Sequence, residues 1–118
     1  MHNLIIALGS NADERLMQLE KALSLCQPFI CIRRTSPVLE TEAIGITAPP
    51  FANQLVSATT SLGLKELNDR LKDTELKLGR KRGGNIIAID IDILQYDNQR
   101  LHEKDWCRQY IKTLITHL

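Results

Sequence analysis

The order in which the hydrophobic repeats change period constrains this chain most. Apolar residues recur at helical spacing in two stretches, residues 16–26 and 64–78. Around them lie four segments that are rich in β-branched residues or that alternate in polarity, at residues 3–8, 29–34, 53–60 and 86–96. The sequence therefore predicts the element order strand, helix, strand, strand, helix, strand.

Local signals predict where these elements end. Pro28 cannot continue the first helix, and Gly79 is a natural residue to follow the end of the second. Asn11 and Glu14 have the spacing of a capping box, which predicts that the first helix starts between them. Residues 36–50 contain three prolines and a glycine, so this segment is predicted to be one long irregular loop.

The predicted order is that of a ferredoxin-like βαββαβ fold, which belongs to the α+β class. In this arrangement both helices cover one face of an antiparallel sheet and leave the other face for a ligand. The length of 118 residues suits a single domain over residues 1–118. A terminal amphipathic helix is predicted from four apolar residues at helical spacing, Trp106, Tyr110, Leu114 and Leu118.

Charge and hydropathy argue against two classes of partner. The formal net charge is +1, so no bulk positive field points to nucleic acid. No apolar run approaches the roughly 20 residues that span a bilayer, and residues 1–8 lack the basic leader of a signal peptide. We therefore expect a cytoplasmic protein that contacts neither nucleic acid nor membrane.

Two aspartates alternate with isoleucines in the last predicted strand. Because side chains alternate between the faces of a strand, Asp90 and Asp92 share one face, about 6 to 7 Å apart. Like charges repel there unless a cation lies between them, and Mg²⁺ prefers such oxygen ligands and can also hold phosphates. The alternative is an ordinary solvated strand face.

An acidic residue and a basic loop precede this strand. On a helical wheel Glu75 lies about 20° from Leu64, inside the leucine stripe, where a carboxylate needs a partner unless the helix end lets it reach water. Arg80, Lys81 and Arg82 follow the helix and can bind phosphates or simply complement the helix dipole. The sequence has no P-loop, so nucleotide chemistry would need another scaffold.

Five segments, in order and spacing over nearly the whole chain, resemble the hydroxymethyldihydropterin pyrophosphokinase family: Ala7-Leu8-Gly9-Ser10-Asn11, Ser36-Pro37-Val38-Leu39-Glu40-Thr41, Phe51-Ala52-Asn53, Leu78-Gly79-Arg80-Lys81-Arg82 and Asp90-Ile91-Asp92-Ile93-Leu94. The resemblance implies an enzyme of folate biosynthesis. Such an enzyme transfers a diphosphate from ATP to 6-hydroxymethyl-7,8-dihydropterin and releases AMP. It also implies that pterin and ATP are the partners and that the protein is a monomer.

The resemblance further implies the roles of individual residues. Asp90 and Asp92 would hold two Mg²⁺ ions, and these aspartates together with Arg80 and Arg82 would be the catalytic residues. ATP contacts are implied for Glu75, Arg80, Arg82, His102 and Arg108. Pterin contacts are implied for Thr41, Ile44, Phe51, Asn53 and Tyr110, with the two aromatic rings stacked on the flat heterocycle.

The chain departs from the family pattern just before the aspartate strand. Ile87 stands where the pattern has an arginine three residues ahead of the first metal aspartate, and the neighbouring loop is short. Losing one such charge commonly costs a factor of about 10² to 10³ in rate, unless Lys81 or Arg82 supplies it. Two alternatives to an active enzyme follow: a noncatalytic paralogue that binds nucleotide or pterin, and a structural or regulatory module whose open sheet face pairs with another subunit.

Overall fold

The computed structural model describes residues 1–43, 48–80 and 84–118. The strands are β1 (His2–Ser10), β2 (Cys31–Thr35), β3 (Leu39–Thr41), β4 (Phe51–Thr60), β5 (Asp90–Tyr96) and β6 (Gln99–Arg100). The helices are α1 (Arg15–Cys26), α2 (Leu64–Lys77) and α3 (Gln109–Leu114), with 3-10 turns at Asp105–Cys107 and Ile115–His117. The strands form one antiparallel sheet in the order β2-β4-β1-β5-β6, with β3 also paired to β4. The predicted α+β, ferredoxin-like fold is confirmed.

The side chains of the central strand β1 alternate between the two faces of the sheet. Leu4, Ile6 and Leu8 are buried in the larger core cluster, together with residues of α1 and α2. Ile5 and Ala7 point the other way and pack against a smaller cluster beneath α3. The period of two in this strand therefore divides the molecule into a helix-covered face and a second face.

Two leucine-rich helices cover the first face, as predicted. Leu19 on α1 and Leu67 and Leu71 on α2 have at most 1% of their surface exposed, and all three belong to the larger core cluster. Burying a side chain of this size stabilises the fold by about 1.5 to 3 kcal/mol, as an upper bound for each residue. Most residues of the stripes that predicted the helices thus hold them on the sheet, although Leu16 at the start of the α1 stripe is 56% exposed.

The second face carries a cleft, as predicted, but α3 covers part of it. Ile111 and Leu114 of α3 are buried against Leu55 and Leu94 of the sheet. These apolar sheet residues would otherwise face water, so part of this face has to be covered. The terminal helix is also shorter than predicted, because Trp106 and Leu118 lie outside the six-residue α3.

Three predicted boundaries were wrong. The supposedly irregular segment 36–50 contains β3, and the last long strand begins at Asp90 and not at residue 86. The predicted capping box does not form, because α1 starts at Arg15 and Glu14 at its N-cap makes no side-chain capping bond. Asn11 instead bonds to distant segments, as described for the site below.

The end of α2 was predicted correctly. Gly79 has φ +92°, a conformation that a residue with a side chain rarely adopts, and it follows the last helical turn. Its N–H donates to the carbonyl of Leu76 at 3.1 Å, and the N–H of Arg80 donates to that of Glu75 at 3.0 Å. This pair of bonds is a Schellman motif, which fixes the direction in which the chain leaves the helix.

Among the described residues, none of the helices combines the length and the apolar character that crossing a lipid bilayer requires.

Candidate active site

An open cleft of about 310 Å³ lies on the half of the second face that α3 leaves uncovered. Seven of the predicted site residues line it: Thr41, Phe51, Asn53, Asp90, Asp92, Arg108 and Tyr110. Its wall also includes residues that sequence reasoning did not single out as site residues: Ala7, Leu8, Gly9, Glu42, Ile87 and Asp105. The cleft thus combines two acidic side chains of one strand with aromatic and amide groups from its neighbours.

The register of the sheet explains this grouping. Gly9 of β1 pairs with Asn53 on β4 and with Asp90 on β5, and Ala7 pairs with Asp92. Residues directly opposite each other in a sheet project from the same face, so the three strands present one surface. Because Gly9 has no side chain, the floor between Asn53 and Asp90 is bare backbone, and the Asn53 and Phe51 side chains lie within 4 Å of where a Cβ atom would stand.

The two aspartates interact strongly with each other. Burial, followed by the negative charge of the neighbouring Asp90 carboxylate and a hydrogen bond to it, raises the pKa of Asp92 from 3.8 to about 6. The side chain of Asp92 is only 23% exposed. In the absence of a cation Asp92 therefore holds its proton up to about pH 6, and a bound cation would favour the ionised form.

A buried glutamate on α2 holds the strand between the two aspartates. The Ile91 N–H donates to Oε2 of Glu75 at 2.7 Å, and only 4% of the surface of Glu75 is exposed. Burial raises the pKa of Glu75, and the hydrogen bond from Ile91 opposes that rise. The alternative that the Glu75 side chain reaches water is wrong, since it is buried and accepts the hydrogen bond from Ile91 of β5.

Arg80 lies behind Asp90. Its Nη1 donates to Oδ1 of Asp90 at 2.8 Å and to the Ile89 carbonyl at 3.1 Å, and it lies 3.6 Å from Oε2 of Glu75. The Schellman motif at the end of α2 places the residue there. Arg80 thus supplies a positive charge directly to one of the two aspartates.

The aspartate pair fits a magnesium site on the chemistry of its donors. Mg²⁺ is commonly held by one or two carboxylates, and phosphates and water complete its octahedral shell. Asp90 and Asp92 supply those carboxylates and face an open cleft. Within the part of the chain that the structure describes, no third His, Cys, Asp or Glu joins the pair as a ligand, so phosphate and water oxygens would have to complete the shell.

The other end of the cleft suits a flat heterocycle. Phe51 and Tyr110 both line it, from β4 and α3. Pairing of β3 with β4 places Thr41 beside Phe51, and the Asn53 amide nitrogen donates to Oγ1 of Thr41 at 2.8 Å and to the Leu39 carbonyl at 3.1 Å. These bonds hold the Asn53 side chain in one orientation at the floor of the cleft.

Asn11 clasps the segment that leads into β5. Its Oδ1 accepts from the Ile87 N–H at 2.6 Å, and its Nδ2 donates to the carbonyls of Asn85 at 2.7 Å and Pro49 at 3.4 Å. The side chain is fully buried. The Gly-Ser-Asn motif was visible in the sequence, but its spacing to Glu14 suggested a helix cap and concealed this role.

His102 and Arg108, which were both predicted to contact ATP, lie in different cavities. His102 is exposed and lies in a separate groove of about 470 Å³, with Leu64, Asn68 and Ile93 among its other lining residues. Arg108 lines the cleft, and its Nε donates to Oδ1 of Asp105 at 3.2 Å. Ile44, Arg82 and the candidate substitute Lys81 lie outside the described residues.

Sequence comparisons with known proteins identify the family of this chain. The family model described as 7,8-dihydro-6-hydroxymethylpterin-pyrophosphokinase matches residues 5–117. A relative from Aquifex aeolicus named 2-amino-4-hydroxy-6-hydroxymethyldihydropteridine pyrophosphokinase is 34% identical over 88% of this chain and 67% of its own length. The Arabidopsis thaliana folate synthesis bifunctional protein, mitochondrial, is 36% identical over 99% of this chain and 23% of its own length. This chain spans about a quarter of the bifunctional plant relatives that it matches.

The family match covers almost the whole chain, and its residues include the strands that build the cleft and both aspartates. The chain belongs to the 7,8-dihydro-6-hydroxymethylpterin-pyrophosphokinase family.

Proposed function

We propose that this chain transfers a diphosphate group from MgATP to the hydroxymethyl oxygen of 6-hydroxymethyl-7,8-dihydropterin and releases AMP. The observation that carries the proposal is the cleft in which Asp90 and Asp92 face the aromatic pair Phe51 and Tyr110. It places carboxylates suited to a metal within the same cavity as a surface suited to a pterin. Family membership supports the same reaction.

The pterin would lie between Phe51 and Tyr110, because flat rings stack favourably on aromatic side chains. The Asn53 amide nitrogen is already bonded to Leu39 and Thr41, which leaves its carbonyl oxygen oriented to accept from the donor-rich edge of the pterin. Thr41 and, outside the described residues, Ile44 would complete this end. The ring is thereby held with its hydroxymethyl group toward the aspartates.

The nucleotide would approach from the other end. Asp90 and Asp92 would hold two Mg²⁺ ions, whose charge offsets that of the phosphates. Arg108 lines the same cleft, and His102 lines the separate groove. Glu75 on α2 contacts β5 through the Ile91 N–H. The hydroxymethyl oxygen attacks the β-phosphorus, the bond from that phosphorus to the α-phosphate breaks, and the hydroxyl proton passes to solvent. Alignment and charge neutralisation are the main contributions of a protein to such a step.

The test is an end-point and time-course assay of the purified chain. With MgATP and 6-hydroxymethyl-7,8-dihydropterin, AMP and pterin diphosphate should form in equal amounts. A sample without pterin and a sample with EDTA in place of Mg²⁺ serve as controls. If neither product forms although MgATP binds, the chain is a noncatalytic paralogue and the proposed reaction is wrong.

Replacing Ile87 with arginine should raise the rate. Ile87 lines the cleft three residues before Asp90, and its backbone is fixed by Asn11, so a longer cationic side chain at this position would point toward the transferred phosphate. A single preorganised charge commonly changes such a rate by about 10²- to 10³-fold when it is well placed. Steady-state kinetics of Ile87→Arg, with Ile87→Gln as an uncharged control of similar reach, measures the effect. Equal rates for wild type and both variants would mean that other residues already neutralise that charge.

The remaining assignments extend this proposal. We expect residues 1–118 to act as one domain and as a monomer, in the cytoplasm, without nucleic acid or membrane partners. Arg80 and Arg82 would contact the nucleotide, which requires Arg80 to exchange its bond with Asp90 for one with a phosphate. Charge exchange of this kind is feasible because the Arg80 side chain is about one-third exposed.

A further inference from the structure

Lys72 on α2 places an ammonium group next to the aspartate pair, although no motif in the sequence points to it. Its Nζ lies 3.5 Å from Oε1 of Glu75 and 3.9 Å from Oδ1 of Asp92. Glu75 is buried, whereas the Lys72 side chain is 48% exposed. One side of the ammonium is therefore paired with the site and the other side is open to a ligand.

Lys72 lies close to residues that line the two cavities. Leu64, Asn68 and Lys72 follow one another at intervals of four residues on α2 and so share a helix face. The first two line the groove that contains His102, and Asp92 lines the cleft. Lys72 itself lines neither cavity, but it lies one helical turn from Asn68 of the groove, and its Nζ is 3.9 Å from Oδ1 of Asp92 in the cleft. A nucleotide that occupied both cavities would bring its phosphates close to this ammonium.

We propose that Lys72 binds the polyphosphate chain of the nucleotide and is a specificity-determining residue for nucleotides with more than one phosphate. The inference rests on the proposed function, since it takes ATP as the ligand. In the ligand-free state the long contacts with Glu75 and Asp92 hold the half-exposed ammonium in position. Such partly solvated pairs contribute little stability and can be exchanged for a phosphate oxygen, which forms a stronger charge-assisted bond.

Equilibrium binding tests the inference without relying on turnover. Titration calorimetry compares MgATP with AMP, which lacks the β- and γ-phosphates, for wild type, Lys72→Met and Lys72→Arg. Losing a hydrogen bond between charged groups should weaken MgATP binding by about 10- to 100-fold in Lys72→Met. AMP binding should stay nearly unchanged, and Lys72→Arg should recover most of the MgATP affinity. Lys77→Met is the matched control, because that lysine is on the same helix but pairs with the exposed Asp73, whereas Lys72 pairs with Glu75 and Asp92 of the site.

The outcomes separate the inference from the proposed function. Equal losses of MgATP and AMP affinity in Lys72→Met, or no loss in either, would overturn the inference and leave Lys72 as a counter-ion for Glu75. A wild-type protein that binds MgATP but forms no pterin diphosphate would overturn the proposed reaction while the binding comparison still decides the role of Lys72. A wild-type protein that does not bind MgATP overturns both.

Discussion

Asp92→Asn is expected to reduce metal-dependent diphosphate transfer by about a thousandfold or more, because it removes one of the two carboxylates that would hold the metal. The same change should make the metal-free protein more stable at neutral pH. The pKa of Asp92 is raised from 3.8 to about 6, so between about pH 4 and pH 6 the folded protein binds more protons than the unfolded chain. The free energy of unfolding therefore falls as the pH rises through this window. At pH 7 the ionised carboxylate costs about 1 to 3 kcal/mol, which asparagine avoids.

Urea denaturation at pH 4 and pH 7, in EDTA and in Mg²⁺, measures this second effect. Wild type and Asp92→Asn should differ most at pH 7 in EDTA and converge toward pH 4, and Mg²⁺ should stabilise only the wild type. Asp73→Asn is the control, because Asp73 is exposed on α2 and pairs with Lys77 away from the cleft. Parallel stability curves for the wild type and Asp92→Asn across this pH range would contradict the expectation.

Glu75→Ala is expected to lower the free energy of unfolding by about 2 to 4 kcal/mol. The change removes the acceptor of the buried Ile91 N–H, and it leaves Arg80 and Lys72 without their shared carboxylate. Glu75→Gln should cost much less, because an amide oxygen still accepts the bond and the buried charge disappears. Since burial raises the pKa of Glu75, the glutamine variant should also lack the loss of stability that ionisation of this carboxyl causes as the pH rises.

Chemical denaturation of Glu75→Ala and Glu75→Gln, with Glu66→Ala as the control, measures these changes in the free energy of unfolding. Glu66 is exposed on the same helix, with Arg70 4.0 Å away, so its removal should change stability by less than about 0.5 kcal/mol. Hydrogen exchange at the Ile91 amide gives a local measure, since only the alanine variant should accelerate it. A Glu75→Ala protein as stable as Glu66→Ala would mean that water replaces the carboxylate at the strand edge without cost.

Most of the fold could be predicted because its signals are periodic and local. The leucine stripes of α1 and α2 and the alternation in β5 each repeat over several turns or pleats, and β1 is a continuous apolar run. Gly79 could be predicted as the residue that ends α2, because its role depends on its own backbone conformation. By contrast, β3 has three residues, too few for a period, and it forms only because β4 offers an edge.

The site was partly predictable for the same reason. Period two placed Asp90 and Asp92 on one face, and the helical wheel placed Glu75 on the leucine stripe. Neither rule names the Ile91 N–H as the partner of Glu75 or the Pro49 carbonyl as a partner of Asn11, since these bonds join residues 16 and 38 positions apart. The covering of half the second face by α3 was missed too, because it depends on which apolar sheet residues remain exposed after the main helices pack.

The clasp made by Asn11 bears on how this site can vary between related proteins. Its side chain bonds to main-chain atoms of residues 49, 85 and 87. Almost any non-proline residue at position 87 offers the same N–H, so mutations there can change the chemistry of the cleft wall without moving the aspartate strand. The main-chain geometry of this cleft wall can therefore persist in relatives that carry different side chains at position 87.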